Sequence, residues 1–122
     1  MGNTGENIIA ENAMWTFSGD VPKAFSQHVK KSVPFYFEGQ DLVVDVSEFF
    51  VAPESLVYDL GCSVGTLSAM LADRHSSKNV KVVGIDIEKD MIEEAKKSNL
   101  RENIEFFVDD IITMELEKTN FI

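Results

Sequence analysis

The stretch Leu56-Val57-Tyr58-Asp59-Leu60-Gly61-Cys62-Ser63-Val64-Gly65 decides the fold. Five residues of strand composition run into two glycines four apart, and helical periodicity starts at Val64, with Leu67, Met70 and Leu71 turned inward. A strand that ends in a glycine turn and opens a helix brings a ligand close to bare backbone. Gly61 has no side chain to obstruct that approach, and Gly65 lets helix and strand pack tightly. Asp59 falls at the carboxyl end of the strand, where open α/β sheets bind their ligands.

Working outward, the pattern repeats. Val80–Ile85 reads as a second strand ending at Asp86, followed by a helix from Glu88 to Lys97 with Met91, Ile92 and Ala95 inward. Asn103–Val108 reads as a third strand, and Asn120-Phe121-Ile122 as the beginning of a fourth. Strands alternating with helices at this spacing imply parallel βαβ units with right-handed crossovers. Upstream, Asp20 caps a helix that carries Val21, Ala24, Phe25, His28 and Val29 on one face and stops near Pro34. A second helix spans Glu38 to Phe50. Leu42, Val43, Val46, Phe49 and Phe50 read as its apolar face, and Glu38, Asp41, Asp45 and Glu48 as a solvated stripe. Residues 1–19 read as an N-terminal extension and 20–122 as one domain. Met14-Trp15-Thr16-Phe17 in the extension reads as a packing anchor or as a flap over a ligand site.

The chain has 122 residues, with 21 acids against 11 bases and a net charge of -10. Residues 32–73 contain no Lys or Arg and seven acids. Such a surface repels phosphate backbones and anionic membranes, so no direct nucleic-acid binding and no membrane contact are expected. No apolar run reaches 18 residues. The first residues lack a basic n-region and an apolar h-region, so no secretory signal is expected there; Glu6 stands where a myristoylation motif needs Ser or Thr. Cys62 is the single cysteine and has no internal partner, which fits a reducing, cytoplasmic setting. It reads as a packing residue, since no His or Asp motif accompanies it. His28 and His75 lack metal-ligand spacing, and no metal site is expected.

Three strand-end signals carry the chemistry. The first is the Asp59–Gly65 turn. Its spacing, D-x-G-x-x-x-G, puts Ser63 where the dinucleotide fingerprint has a second glycine. A pyrophosphate needs bare backbone there, so a nicotinamide-dinucleotide oxidoreductase is disfavoured. A nucleoside with an amino-acid tail asks less of the loop and more of nearby acids. The second signal is Asp86, 25 residues beyond Gly61, whose carboxylate suits a ribose diol. Its alternative reading is a helix-capping acid before Glu88. The third is Val108-Asp109-Asp110-Ile111: one acid, with Asp110 favoured, would meet an adenine amino group and Ile111 the ring.

Together Asp59-Leu60-Gly61-Cys62, Gly84-Ile85-Asp86 and Asp109-Asp110-Ile111 resemble the first three motifs of class I S-adenosylmethionine-dependent methyltransferases. Trp15-Thr16-Phe17, Lys31-Ser32-Val33-Pro34-Phe35-Tyr36 and Val57–Ser63 are similar to the carboxy-S-adenosylmethionine synthase family, formerly described as a tRNA uridine-5-oxyacetate methyltransferase. The resemblance covers about residues 15–115 and about the first half of that family's length. It implies a Rossmann-like α/β fold, truncated after the third parallel strand and preceded by helices. It implies S-adenosylmethionine or S-adenosylhomocysteine (SAH), or carboxy-S-adenosylmethionine, as the bound cofactor. It assigns cofactor contacts to Tyr36, Gly61, Cys62, Ser63, Asp86, Asp110 and Ile111, which Asp59 and Gly65 join from the strand-turn reading and Ile87 as the neighbour of Asp86, where the family often has a polar residue; it names no catalytic base. The family's asparagine after a fourth strand and its carboxylate-holding arginine have no counterpart here. A link to tRNA wobble-uridine modification follows from the same resemblance. The other class of reading is a non-catalytic nucleoside-binding or assembly module. The bare edge of the first strand suggests a homodimer, with Phe121-Ile122 taking part, for instance by exchange.

Overall fold

A computed structural model describes residues 21–122. The Met14–Phe17 reading and the 1–19 extension lie outside the described residues. Two α-helices precede three strands that alternate with two more: α1 (Val21–Ser32), α2 (Tyr36–Ser47), β1 (Leu56–Leu60), α3 (Thr66–Arg74), β2 (Lys81–Asp86), α4 (Lys89–Ser98) and β3 (Ile104–Val108). The sheet is wholly parallel in the order β1-β2-β3, with Tyr58 opposite Val83 and Ile85 opposite Phe107. It is the Rossmann-like α/β arrangement expected of the βαβ pattern.

The core follows from period-two alternation. Val57 and Val82 point to the face covered by α3 and join Leu71, Ala72, Val80 and Val44 in one cluster. Tyr58, Val83 and Ile85 point to the other face, where Met114 packs from the stretch after β3. The helix α4 seats Ile92 and Ala95 against Phe106 and Cys62. From above, α1 closes the carboxyl end of the sheet, bringing Phe25 and Val29 onto Val64 and Met91.

The second helix departs from its sequence reading. It starts at Tyr36, after a left-handed Phe35 (φ 58°), and ends at Ser47. Its buried residues are Gln40, Val44 and Ser47. The apolar face expected of Leu42, Val43, Val46, Phe49 and Phe50 is turned outward, Leu42 at 63% and Phe49 at 85% exposure. A polar contact decides the orientation. His75, fully buried at the end of α3, lies 2.7 Å from Ser47 Oγ through Nε2. Ser47 Oγ in turn donates to the Val44 carbonyl at 2.5 Å. Ser47 can then only accept from His75, so Nε2 carries the ring proton and Nδ1 faces Lys78 Nζ at 3.5 Å. The acidic stripe is exposed as expected, and Asp45 and Glu48 pair with Arg74 and Lys78 at 3.0 and 3.3 Å.

The beginning of a fourth strand is also present. Phe121 bridges Val57 in parallel, on the side of β1 away from β2. Its carbonyl accepts from Tyr58 N at 3.3 Å, Thr119 Oγ1 donates to the Leu56 carbonyl, and Tyr58 Oη accepts from Glu117 N at 2.9 Å. The edge of β1 is thus occupied at its first residues by the chain's own tail. No helix among the described residues is long and apolar enough to cross a membrane.

Candidate functional site

The turn after β1 is built by pinning its backbone to β2. Gly61 N and Cys62 N both donate to the Ile85 carbonyl, at 2.8 and 2.9 Å. The chain then takes three left-handed residues within five: Gly61 (φ 71°), Ser63 (φ 53°) and Gly65 (φ 82°). Gly65 is required twice over. Its φ suits glycine, and a Cβ there would stand 2.6 Å from the Phe106 ring. A Cβ at Gly84 on β2 would stand 2.6 Å from the same ring. At Gly61 a Cβ would meet open space. Asn99 Nδ2 donates to the Val64 carbonyl at 2.6 Å and ties the far end of the turn to α4.

Asp86 is the hub of the site. One carboxylate oxygen accepts from Ser63 N at 2.9 Å, and the other from Glu88 N at 2.9 Å. The capping reading of Asp86 holds, and the same carboxylate ties the turn after β1 to the start of α4. Each oxygen keeps a further acceptor position.

Above this hub lies a cavity of about 560 Å³, within the roughly 300–1,000 Å³ of small-molecule pockets. Its floor is Ser63, Asp86, Ile87 and Glu88; its wall is Phe25, Val29, Ser32 and Val33 of and after α1, with Tyr36 and Met91. None of these ten residues is Lys or Arg. Of the residues expected in a site, Tyr36, Ser63, Asp86 and Ile87 line this cavity. Asp59, Gly61, Cys62 and Gly65 form the strand end and turn beside it. Asp110 and Ile111 are not in its lining. Asp110 Oδ1 accepts from Ile112 N at 2.9 Å within its own turn, and Ile111 is exposed. The α1 wall was not singled out in the sequence, because Phe25 and Val29 read equally well as an ordinary buried helix face. Met91 read as core for the same reason.

Electrostatics set the character of the site. Burial raises the Asp59 carboxyl above the usual carboxylate range; a hydrogen bond from Ser68 opposes this, and the Asp86 charge adds to it. Burial, and then the Asp59 charge, raise the Tyr36 phenol. Burial, with the charges of Asp59 and Asp86, pushes the Cys62 thiol up, so it stays protonated and is no nucleophile. Two carboxylates and a phenol thus lie close together, with no cation among the described lining residues. Such a place attracts a cationic, hydroxyl-bearing molecule and repels a phosphate. Among the described residues no cluster has metal-ligand composition.

Comparison with known proteins agrees with this geometry. The sequence pattern of a family described as a methyltransferase domain matches residues 57–122. The carboxy-S-adenosyl-L-methionine synthase of Yersinia pestis is 29% identical over 118 residues, covering 93% of this chain and 44% of the relative. The chain thus spans less than half the length of the curated relatives it matches. The structure of magnesium protoporphyrin IX methyltransferase from Synechocystis PCC 6803, with bound SAH, superposes with a TM-score of 0.57 at 26% identity, over 75% of this chain and 42% of that one. Coclaurine N-methyltransferase bound to N-methylheliamine and SAH gives 0.55 at 25% identity, over 68% and 24%.

Proposed function

The chain belongs to the methyltransferase-domain family, and from that premise we propose that its cavity holds S-adenosylmethionine, or the demethylated SAH, as part of an S-adenosylmethionine-dependent enzyme. The single observation that carries this reading is the acidity of the site among the described residues. Asp86 and Tyr36 line the cavity and Asp59 lies beside it, no basic residue is among the described lining residues, and S-adenosylmethionine carries a sulfonium and an ammonium but no phosphate.

The proposed roles follow the layout. Asp86 accepts the ribose hydroxyls, with Ile87 beside the nucleoside. Gly61, Cys62, Ser63 and Gly65 offer backbone to the amino-acid tail, and Asp59 and Tyr36 face the cationic end. Asp110 and Ile111 belong to the adenine side, reached once the Asp110 turn lets go of its own backbone. When bound, the cofactor supplies an activated carbon on sulfur, and the chain's contribution is to hold that carbon in line with an acceptor. Residues 20–122 act as the cofactor-binding domain. Likeness to carboxy-S-adenosyl-L-methionine synthase over most of the chain supports a carboxy-S-adenosylmethionine synthase-like activity, cytoplasmic and linked to tRNA wobble-uridine modification, for the enzyme to which these residues belong.

A homodimer is part of the same reading. The tail occupies only the first residues of the β1 edge, and the apolar face of α2 stands exposed near it. A second copy covering that face would bury Leu42, Phe49 and Phe50. Native mass spectrometry with and without S-adenosylmethionine tests both statements. We expect a dimer with one nucleoside per chain, lost in Asp86→Ala, and no retention of a nicotinamide dinucleotide. An empty chain after addition of S-adenosylmethionine overturns the cofactor reading. A monodisperse monomer at high concentration overturns the dimer.

A further inference from the structure

Ser68 is the third residue of α3, fully buried, and its hydroxyl donates to Asp59 Oδ2 at 2.6 Å. Its backbone N–H, after the hydroxyl, also favours the Asp59 anion. The amides of a helix's first turn lack intrahelical partners and carry the positive end of the helix dipole. Asp59 therefore accepts the Ser68 hydroxyl beside the first turn of α3, a place that favours negative charge. Of the titratable groups facing it among the described residues, Asp86 at the end of β2 does the opposite, and Tyr36 at the start of α2 and the Cys62 thiol in the turn bring no positive charge.

Resting on the cofactor reading above, we propose that Ser68 is a positioning residue for cofactor capture: its hydroxyl keeps the Asp59 carboxylate anionic and fixed toward the sulfonium and ammonium end of the nucleoside. Ser68 itself touches no ligand. It acts through Asp59 and sets the lower limit of pH at which the site accepts a cationic ligand. The direction is determined. Burial favours the neutral acid, the Ser68 hydroxyl bond favours the anion, and only the anion attracts the cation. Removing the hydroxyl must raise the Asp59 proton affinity and move the acid limb of binding to higher pH.

Isothermal titration of the whole chain with S-adenosylmethionine and with adenosine, from about pH 5 to about pH 8, decides the matter. Adenosine has neither sulfonium nor amino-acid tail. In Ser68→Ala we expect S-adenosylmethionine affinity to fall about tenfold on the acid side, with the limb displaced upward by about one pH unit, the tenfold that one unit represents. Adenosine affinity should be unchanged. In an Asp59→Asn background the limb should vanish, and Ser68→Ala should have no further effect. Ser68→Cys keeps the volume with a weaker donor and takes the place of Ser68→Ala if that variant does not fold. An unmoved limb in a folded Ser68 variant overturns the proposal. So does an equal loss of adenosine binding, which would mark Ser68 as merely structural. Failure of the unsubstituted chain to bind S-adenosylmethionine at any pH overturns the cofactor reading itself, and this proposal with it.

Discussion

Gly61 and Gly65 look alike in the sequence, both left-handed and both in the turn, yet they should tolerate change very differently. At Gly61 a methyl group meets nothing, so Gly61→Ala should cost only the backbone term, about 1 kcal/mol. At Gly65 the same backbone term is joined by a collision with the Phe106 ring, and Gly65→Ala should cost about 3 kcal/mol. Denaturant unfolding of the two variants checks the order, and Phe106→Leu should restore part of the Gly65→Ala loss. Equal costs would mean that the ring gives way freely. The sequence marked both glycines as turn residues. It reads Gly61 as clearance for a ligand and Gly65 as tight packing, but not the ring that Gly65 meets, which comes from a strand 41 positions later (106 minus 65).

At the level of elements, legibility tracked how local the causes were. The strand Leu56–Leu60 stands where composition placed it, and Met91, Ile92 and Ala95 are the buried face of α4. Both depend on short-range periodicity. The orientation of α2 depends instead on Ser47 meeting His75, 28 residues away, and on Val44 joining the β1 cluster. No window of local sequence contains that pairing, so the more apolar side was read as inward. The joint between α2 and α3 should also be sensitive to acid. Burial, and the neighbouring Lys78, hold the His75 imidazolium in check, so its affinity for a proton is lower folded than unfolded. The unfolded chain therefore takes up a proton below about pH 6.5 that the folded chain refuses. Stability should be full above that pH and decline as pH falls toward the folded value, then level off. Because Asp59 carries a raised pKa and acts in the opposite sense, the comparison must be between the chain and His75→Gln. The difference in their pH profiles isolates the histidine, and parallel profiles would refute its role.

For the molecule as a whole the governing quantity is the net charge of -10. Outside the cavity, acids outnumber bases over most of the first half of the chain, so a cationic ligand is drawn in from a distance. S-adenosylmethionine carries one more positive charge than SAH. Raising ionic strength from about 0.01 M to about 0.15 M shortens the screening length from about 30 Å to about 8 Å. Over that range S-adenosylmethionine should associate several-fold more slowly, while SAH changes little. Stopped-flow binding at the two salt levels measures this directly, and identical salt slopes for the two ligands would exclude steering by the protein's field. The single ring that underlies both Gly65 and Gly84 carries a further consequence, for how the molecule comes together in time. The turn after β1 is local in sequence, but its shape is braced by β3, which joins the sheet only through β2. Closing so long a loop is slow compared with forming α3 or α4 alone. During refolding, helical signal should therefore appear before the protein can capture its nucleoside, and the delay between the two is the time β3 takes to arrive.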